Sequence, residues 1–266
     1  MNDPHPLVTR LQSVTFRFGK AEPKACINSL PPNLPWSRLR SLTFNTYMED
    51  LDLVFGILRQ TPMLETLDLA IPNSGVPVQL TMTSLGNLTM DLDPAVLSNP
   101  TECDQILRSF VCPSLTKFSL SAYDGWTEAF KILKRQYNMQ GLREVALKGY
   151  FTLRASDFLR DAPMLHSLFL GWQDIMDVEA VMGISNGSLG RFLRQLEIYY
   201  PTDVGKVLGM VEARKETVDA LIKNGCNWRE EITILKDIVI HTRKNITEYE
   251  ERVIALKAAD IAITFL

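Results

Sequence analysis

Leu39-Arg40-Ser41-Leu42-Thr43-Phe44 places apolar residues at its first, fourth and sixth positions, and that spacing returns along the chain. Leu64-Glu65-Thr66-Leu67-Asp68-Leu69 repeats it 25 residues later, and Leu115-Thr116-Lys117-Phe118-Ser119-Leu120 repeats it again. The second half of the template alternates with the two-residue period of a strand. Its apolar side chains therefore leave one face and the intervening residues the other. Nine copies can be traced, beginning at Leu11, Leu39, Leu64, Leu85, Leu115, Leu142, Leu165, Leu193 and Leu235. The intervals are 28, 25, 21, 30, 27, 23, 28 and 42 residues.

Apart from the last, these intervals average within the range of leucine-rich repeats, and amphipathic stretches between the copies leave room for helices. The expected fold is an α/β leucine-rich-repeat solenoid. It would be a curved horseshoe with a parallel sheet on the concave side and helices and loops on the convex side. Strands are expected at residues 13–17, 41–45, 66–70, 87–91, 117–121, 144–148, 167–171, 195–199 and 237–241. Helices are expected over 50–60, 104–111, 127–137, 155–160, 174–182, 203–223 and 247–259, several of them ended by a proline. The turn-rich stretch 72–77 replaces one helix, the long last interval has room for a helical segment over 226–231, and 261–266 reads as a short strand or tail. Residues 1–266 then form a single domain of about nine irregular repeats. Within it, 201–266 is a helical, charged C-terminal repeat and cap, because 21 of its 66 residues are charged against 38 of the 200 before it.

Hydrophobic content of 46% with 22% charged residues belongs to a folded chain. A net charge of −3 argues against a general nucleic-acid binder. The charge is unevenly spread: residues 49–104 hold nine acids and one base, whereas 105–161 hold nine bases and five acids. A partner spanning both blocks would be steered by charge. Cys26, Cys103, Cys112 and Cys226 show no metal-ligand spacing and read as free thiols of a reducing compartment. The first residues lack the pattern of a signal peptide, and no apolar run is long enough to span a bilayer. A cytoplasmic or nuclear protein without membrane contact is expected.

Catalytic patterns are sparse. Gly183-Ile184-Ser185-Asn186-Gly187 matches the G-x-S-x-G elbow, with Asp203 and His241 following in hydrolase order. The elbow needs a strand ending at the serine, however, and residues 174–182 read as helical, so a glycine-rich inter-repeat loop is the simpler reading. His5, His166 and His241 are too scattered to pair as metal ligands, and no glycine-rich phosphate loop is present. The run Glu212-Ala213-Arg214-Lys215-Glu216 reads as a solvated helix face. No enzyme activity, metal or cofactor is expected.

The third, fifth and seventh positions of each motif should line the concave sheet. In the first half they are small and polar, with Asp68 and Asp91 forming an acidic patch. In the second half Phe169 and Tyr199 are large aromatics at positions that ought to face water, with Trp172 nearby, Glu197 between them, and Lys117 and Lys148 on preceding repeats. Aromatics with neighbouring charge are what interface anchors are made of. The candidate partner-binding residues are therefore Lys117, Lys148, Phe169, Trp172, Glu197 and Tyr199, with Asp68 and Asp91 as a secondary patch. The alternative for Phe169 is a ring tucked under a neighbouring loop.

Pro35-Trp36-Ser37-Arg38-Leu39-Arg40-Ser41-Leu42-Thr43-Phe44, followed by a helix and Gln60-Thr61-Pro62-Met63-Leu64-Glu65-Thr66-Leu67-Asp68-Leu69, resembles the repeat region of fungal F-box/leucine-rich-repeat proteins. Asp161-Ala162-Pro163-Met164-Leu165-His166-Ser167-Leu168 follows the same return pattern, as does Val111-Cys112-Pro113-Ser114-Leu115-Thr116-Lys117-Phe118. The resemblance covers about residues 7–245. It implies a protein-interaction module like the substrate-recognition arm of a ubiquitin-ligase receptor. Such receptors dock on a ligase adaptor through an F-box, and only about ten residues precede Leu11. An adaptor is therefore expected as a partner only if an F-box lies upstream. The alternative is a stand-alone leucine-rich-repeat scaffold or inhibitor unrelated to ubiquitin. Either way the expected partner is a protein held on the concave face.

Overall fold

The motif residues form strands, and successive copies pair in parallel with equivalent positions side by side. The computed structural model describes residues 11–16, 34–44, 51–71, 79–92, 100–122, 134–135, 137–149, 154–171, 176–225 and 232–266. Contacts divide the chain into two units, Met1–Asn138 and Met139–Leu266. In the first unit the order is β1 (Ser13–Phe16), β2 (Ser41–Phe44), α1 (Leu51–Leu58), β3 (Thr66–Ile71), β4 (Leu80–Thr81), β5 (Asn87–Leu92), α2 (Pro100–Ser109), β6 (Phe110–Val111) and β7 (Lys117–Ala122). Its main sheet runs β1-β2-β3-β5-β7, and β4 and β6 make a separate parallel pair. In the second unit the order is β8 (Glu144–Gly149), α3 (Ala155–Asp161), β9 (Ser167–Leu170), α4 (Val178–Asn186), β10 (Gln195–Tyr199), α5 (Val204–Lys223), β11 (Asp237–His241), α6 (Glu250–Ala258) and β12 (Ala262–Phe265). Its sheet runs β8-β9-β10-β11-β12. The protein is thus α/β with parallel sheets.

Register explains the recurrence of the motif. In the first unit Val14, Leu42, Leu67, Leu88 and Phe118 lie side by side, as do Phe16, Phe44, Leu69, Met90 and Leu120. In the second, Val145, Leu168, Leu196, Ile238 and Ile263 form one such row, and Leu147, Leu170, Ile198, Ile240 and Phe265 another. The first motif leucines, among them Leu39, Leu64, Leu85, Leu115, Leu142, Leu165, Leu193 and Leu235, are also buried. A second device aligns the copies. The carbonyl of the second motif residue accepts from two consecutive amides of the next copy: Arg40 O from Glu65 N and Thr66 N, Arg143 O from His166 N and Ser167 N, His166 O from Arg194 N and Gln195 N. Each repeat is thereby held to its neighbour at the strand entry as well as along the strand.

All nine expected strands form, each within a residue of its expected bounds, and the 261–266 segment is a strand. The helices depart more. The 104–111 helix begins earlier and stops at Ser109, because Phe110 and Val111 extend to pair with Leu80 and Thr81. The helix expected over 127–137 lies mostly outside the described residues. At its end Tyr137 makes an isolated bridge to Cys112 instead. The 174–182 helix is displaced to 178–186, since Asp177 supplies the cap. The segments 72–77 and 226–231 fall outside the described residues. Cys112 is a free, buried thiol that burial pushes up to about 12, so it stays protonated.

Arg214 overturns the expected solvated face over 212–216. It is 0% exposed, inside α5. Its spacing from Val207, Met210, Val211 and Val218 puts it on the same buried face as those residues. Among the described residues no carboxylate answers it. Instead its guanidinium donates to four backbone carbonyls: Thr233 at 2.8 Å, Ile184 at 2.8 Å, Gly190 at 2.9 Å and Arg191 at 2.8 Å. Burial lowers its pKa to about 10, and it remains a cation at neutral pH. The acceptors include a carbonyl at the end of α4, where a helix presents negative partial charge. Glu212, two residues earlier, forms a two-pronged pair with Arg252 of α6 at 2.8 and 2.7 Å.

Asp177 joins two more elements. One carboxylate oxygen accepts from Ala180 N at 3.0 Å, capping α4, and the other from Ser156 N at 3.1 Å in the first turn of α3. Burial alone would raise its pKa, but those amide donors outweigh it and hold the carboxyl below its ordinary 3.8. A lowered carboxyl pKa contributes stability that is present above 3.8 and lost as pH falls through the folded value. Asp177→Ala should cost about 1–2 kcal/mol in urea unfolding at neutral pH. The gap to the native chain should narrow as the pH falls below 3.8; a gap that stays constant with pH would refute this role.

Candidate functional site

In β8 to β11 the residues between the core positions leave the opposite face of the sheet. Ala146, Phe169, Glu197 and Val239 are neighbours across four strands, and Tyr199 lies beside His241 one step further along. None of these is fully buried. The parallel register therefore brings together side chains that are far apart in the chain.

The rings form a continuous stack. His241 lies against Tyr199 with centroids 3.6 Å apart and planes 17° from parallel, and Tyr199 meets Phe169 at 5.2 Å and 52°. Lys148 Nζ stands 5.8 Å from the Phe169 centroid, within the range of a cation–π contact. At the other side Tyr200 meets Tyr199 edge-on at 6.1 Å, with the Arg243 guanidinium 5.3 Å from the Tyr200 ring. Tyr200 has φ +48°, a left-handed backbone that bulky side chains rarely adopt. Its N–H donates to His241 O at 2.8 Å, which fixes the turn leaving β10.

One polar pair holds the stack in place. His241 Nε2 lies 2.8 Å from Glu197 Oε1, with side chains 15% and 33% exposed. The carboxylate sits two residues before Tyr199 on β10, so it orients the imidazole against the phenol ring. Burial, then Glu197 and Tyr200, raise the Tyr199 pKa, and the phenol stays neutral. Gly171 closes the end of β9 against β8, its N–H donating to Leu147 O at 2.6 Å. The result is a row of flat apolar surfaces rimmed by two cations and carrying one acid. Such a patch can grip a ligand; it offers no activated nucleophile.

The structure brings Lys148, Phe169, Glu197 and Tyr199 together. Phe169 is half-buried through ring contact with Tyr199. Trp172 lies outside the described residues. Lys117 is an exposed residue of β7 in the first unit, opposite Asn87 of β5. Asp68 and Asp91 lie on neighbouring strands of that unit, where Asp68 pairs in register with Thr89 and Ala70 with Asp91. His241 and Gly171 also stand at seventh motif positions of the face expected to be concave, but the sequence does not mark them as candidate partner-binding residues. The seventh motif position, which holds Tyr199, holds His241 one copy later, and reading those positions across the register would have paired them.

Ser185 sits in the last turn of α4, with its hydroxyl donating to Val181 O at 2.8 Å. Asp203 caps α5 through Lys206 N at 3.1 Å, and His241 is engaged by Glu197. The strand-serine-helix turn of a nucleophile elbow is not formed. Among the described residues no group of His, Cys, Asp and Glu could hold a metal ion, and no helix is long and apolar enough to cross a membrane. No family model, curated protein or solved structure matches the chain.

Proposed function

We propose that the chain is a leucine-rich-repeat horseshoe and a non-catalytic protein-interaction module. The ring stack of its second unit, on the concave face, is the partner-binding surface. One observation carries this reading: Lys148, Phe169, Tyr199, His241 and Glu197 converge, none of them fully buried, on one patch of the sheet face. Core packing does not require them, since the core rows lie on the other face. Aromatic anchors that already hold each other lose little side-chain freedom on binding. The recurring motif supports the horseshoe, and its resemblance to F-box receptors favours a role as a substrate-recognition arm in the cytoplasm or nucleus. A ligase adaptor joins the partners only where an F-box segment precedes the repeats.

The test is to capture a partner on the immobilised chain, then titrate it, purified, against native and Phe169→Ala/Tyr199→Ala proteins. The double change should weaken binding by about 2 kcal/mol or more, roughly 30-fold, with an unaltered circular dichroism spectrum. If the Kd does not move, while Asp68→Asn/Asp91→Asn abolishes capture, the site lies on the acidic patch of the first unit.

A further inference from the structure

The ring stack of the second unit is flanked by charges of one sign. Lys148, on β8, and Arg243, two residues beyond β11, are both exposed. Each holds its cation beside a ring, 5.8 Å from the Phe169 centroid and 5.3 Å from that of Tyr200. A ring face attracts a cation without cancelling its charge. Among the described residues neither cation meets a carboxylate. Glu197, the acid between the rings, is engaged by His241 Nε2 at 2.8 Å. The C-terminal ends of β8 to β11 therefore offer two open cations with flat rings between them.

Two further acids of this face stand at the other end of the strands. Glu144 and Asp237 occupy third motif positions, in register with Ser167 and Gln195 respectively. Four residues separate them from the row of Lys148 and His241, about 13 Å along a strand. That exceeds the Debye length of about 8 Å at physiological salt, so they are largely screened from the two cations. A ligand lying on the rings thus meets positive charge at both flanks.

The sheet spacing sets the length of what fits. From β8 to β11 there are three strand intervals of about 4.8 Å, or about 14 Å from one flank to the other. An extended peptide rises about 3.3 Å per residue, so side chains four residues apart stand about 13 Å apart. We propose that the partner contributes an extended segment laid across β8 to β11, with two carboxylate side chains four residues apart. One meets Lys148 and the other Arg243. By the two-residue period of an extended chain, the residue midway between them faces the sheet as well, and an apolar side chain there lies on Phe169 and Tyr199. A basic segment would set like charges against both flanks, and the same arrangement rejects it. This inference rests on the ring stack being the partner-binding surface, and it names what that surface selects.

The experiment titrates the full chain with three labelled peptides, read by fluorescence anisotropy. The first is Gly-Ser-Glu-Thr-Leu-Thr-Glu-Ser-Gly, whose threonines favour an extended backbone; the others carry glutamine or lysine in place of both glutamates. The glutamate peptide should bind about fivefold tighter than the glutamine peptide, as two exposed ion pairs allow, and the lysine peptide should bind most weakly. Raising the salt from about 50 mM to about 500 mM should shrink the difference. Lys148→Glu/Arg243→Glu should invert the order, with the lysine peptide tightest. Both side chains are exposed, so this variant should keep the native melting curve. Phe169→Ala/Tyr199→Ala should weaken all three peptides. A glutamate peptide that binds no tighter than the glutamine peptide would overturn the proposal. So would three peptides that all fail to bind, or an order that the charge reversal leaves unchanged. A glutamate preference undiminished by loss of both rings would overturn the ring stack as the binding surface, and this inference with it.

Discussion

Arg214→Ala is expected to lower the melting temperature of the second unit by roughly 10 °C. Four backbone carbonyls converge on this side chain, from Ile184, Gly190, Arg191 and Thr233. They belong to three separate stretches: the end of α4, the turn before β10 and the approach to β11. Removing the guanidinium takes one donor from each oxygen in a buried site; Gly187 N, Leu193 N and Thr233 N still serve Ile184 O, Gly190 O and Arg191 O, so the loss falls most heavily on Thr233 O. A lost partner costs about 1–3 kcal/mol per buried group, although water entering the vacated space would recover part of it. A net loss of about 3 kcal/mol corresponds to roughly 10 °C for a unit of this size. Arg214→Lys keeps the charge but has one nitrogen where the native side chain has three, so it cannot span the same acceptors. It should recover less than half of the loss. Calorimetry of the three proteins decides the matter. A fall under about 1 kcal/mol for Arg214→Ala would mean that the arginine is merely tolerated in the core.

Gly171→Val should damage both stability and partner binding. A Cβ at this position would lie 2.7 Å from Gly149 N, 2.8 Å from Leu147 O and 2.9 Å from Lys148 Cα. All three obstacles are backbone, so no side-chain rotation relieves them. The end of β9 would have to move away from β8, breaking the Gly171 N–Leu147 O bond. A cost of about 3 kcal/mol follows, at the upper end of overpacking effects. The displacement also separates Phe169 from Lys148, which lie on the two strands being forced apart. Partner affinity should therefore fall even below the melting transition. Gly171→Ala should show both effects in weaker form. Native-like melting of Gly171→Val would show that the two strands can part at little cost.

The strand pattern was legible because a two-residue period and a buried face leave little freedom: Leu42 and Phe44 inside require Thr43 outside. The parallel pairing followed from the intervals, which leave room for a crossover between copies. Helix limits were less legible, since caps and partners decide them. Asp177 rather than Asp174 starts α4, and Phe110 leaves α2 for a two-residue strand whose partner is 30 positions away. Arg214 was misread because a charged run suggests a wet helix face. Only its spacing of three residues from Val211, four from Met210 and Val218, and seven from Val207 hinted otherwise. Of the site, Phe169 and Tyr199 stood out as aromatics at face positions. Their contact with each other and with His241 was not visible, because it depends on three strands in register.

Strand order in each unit follows chain order, and this bears on synthesis. When β9 has left the ribosome, its sheet neighbour β8 has already emerged; the same holds for β10, β11 and β12 in turn. Ribosomes add about 5–20 residues per second, so a new repeat arrives every 1 to 5 s or so. Loop closure and strand pairing on this scale take microseconds to milliseconds. Each repeat of the second unit can therefore dock on a finished template long before the next one exists. The C-terminal edge of the growing sheet is then always the strand made last, and each new repeat covers the edge left by the one before it.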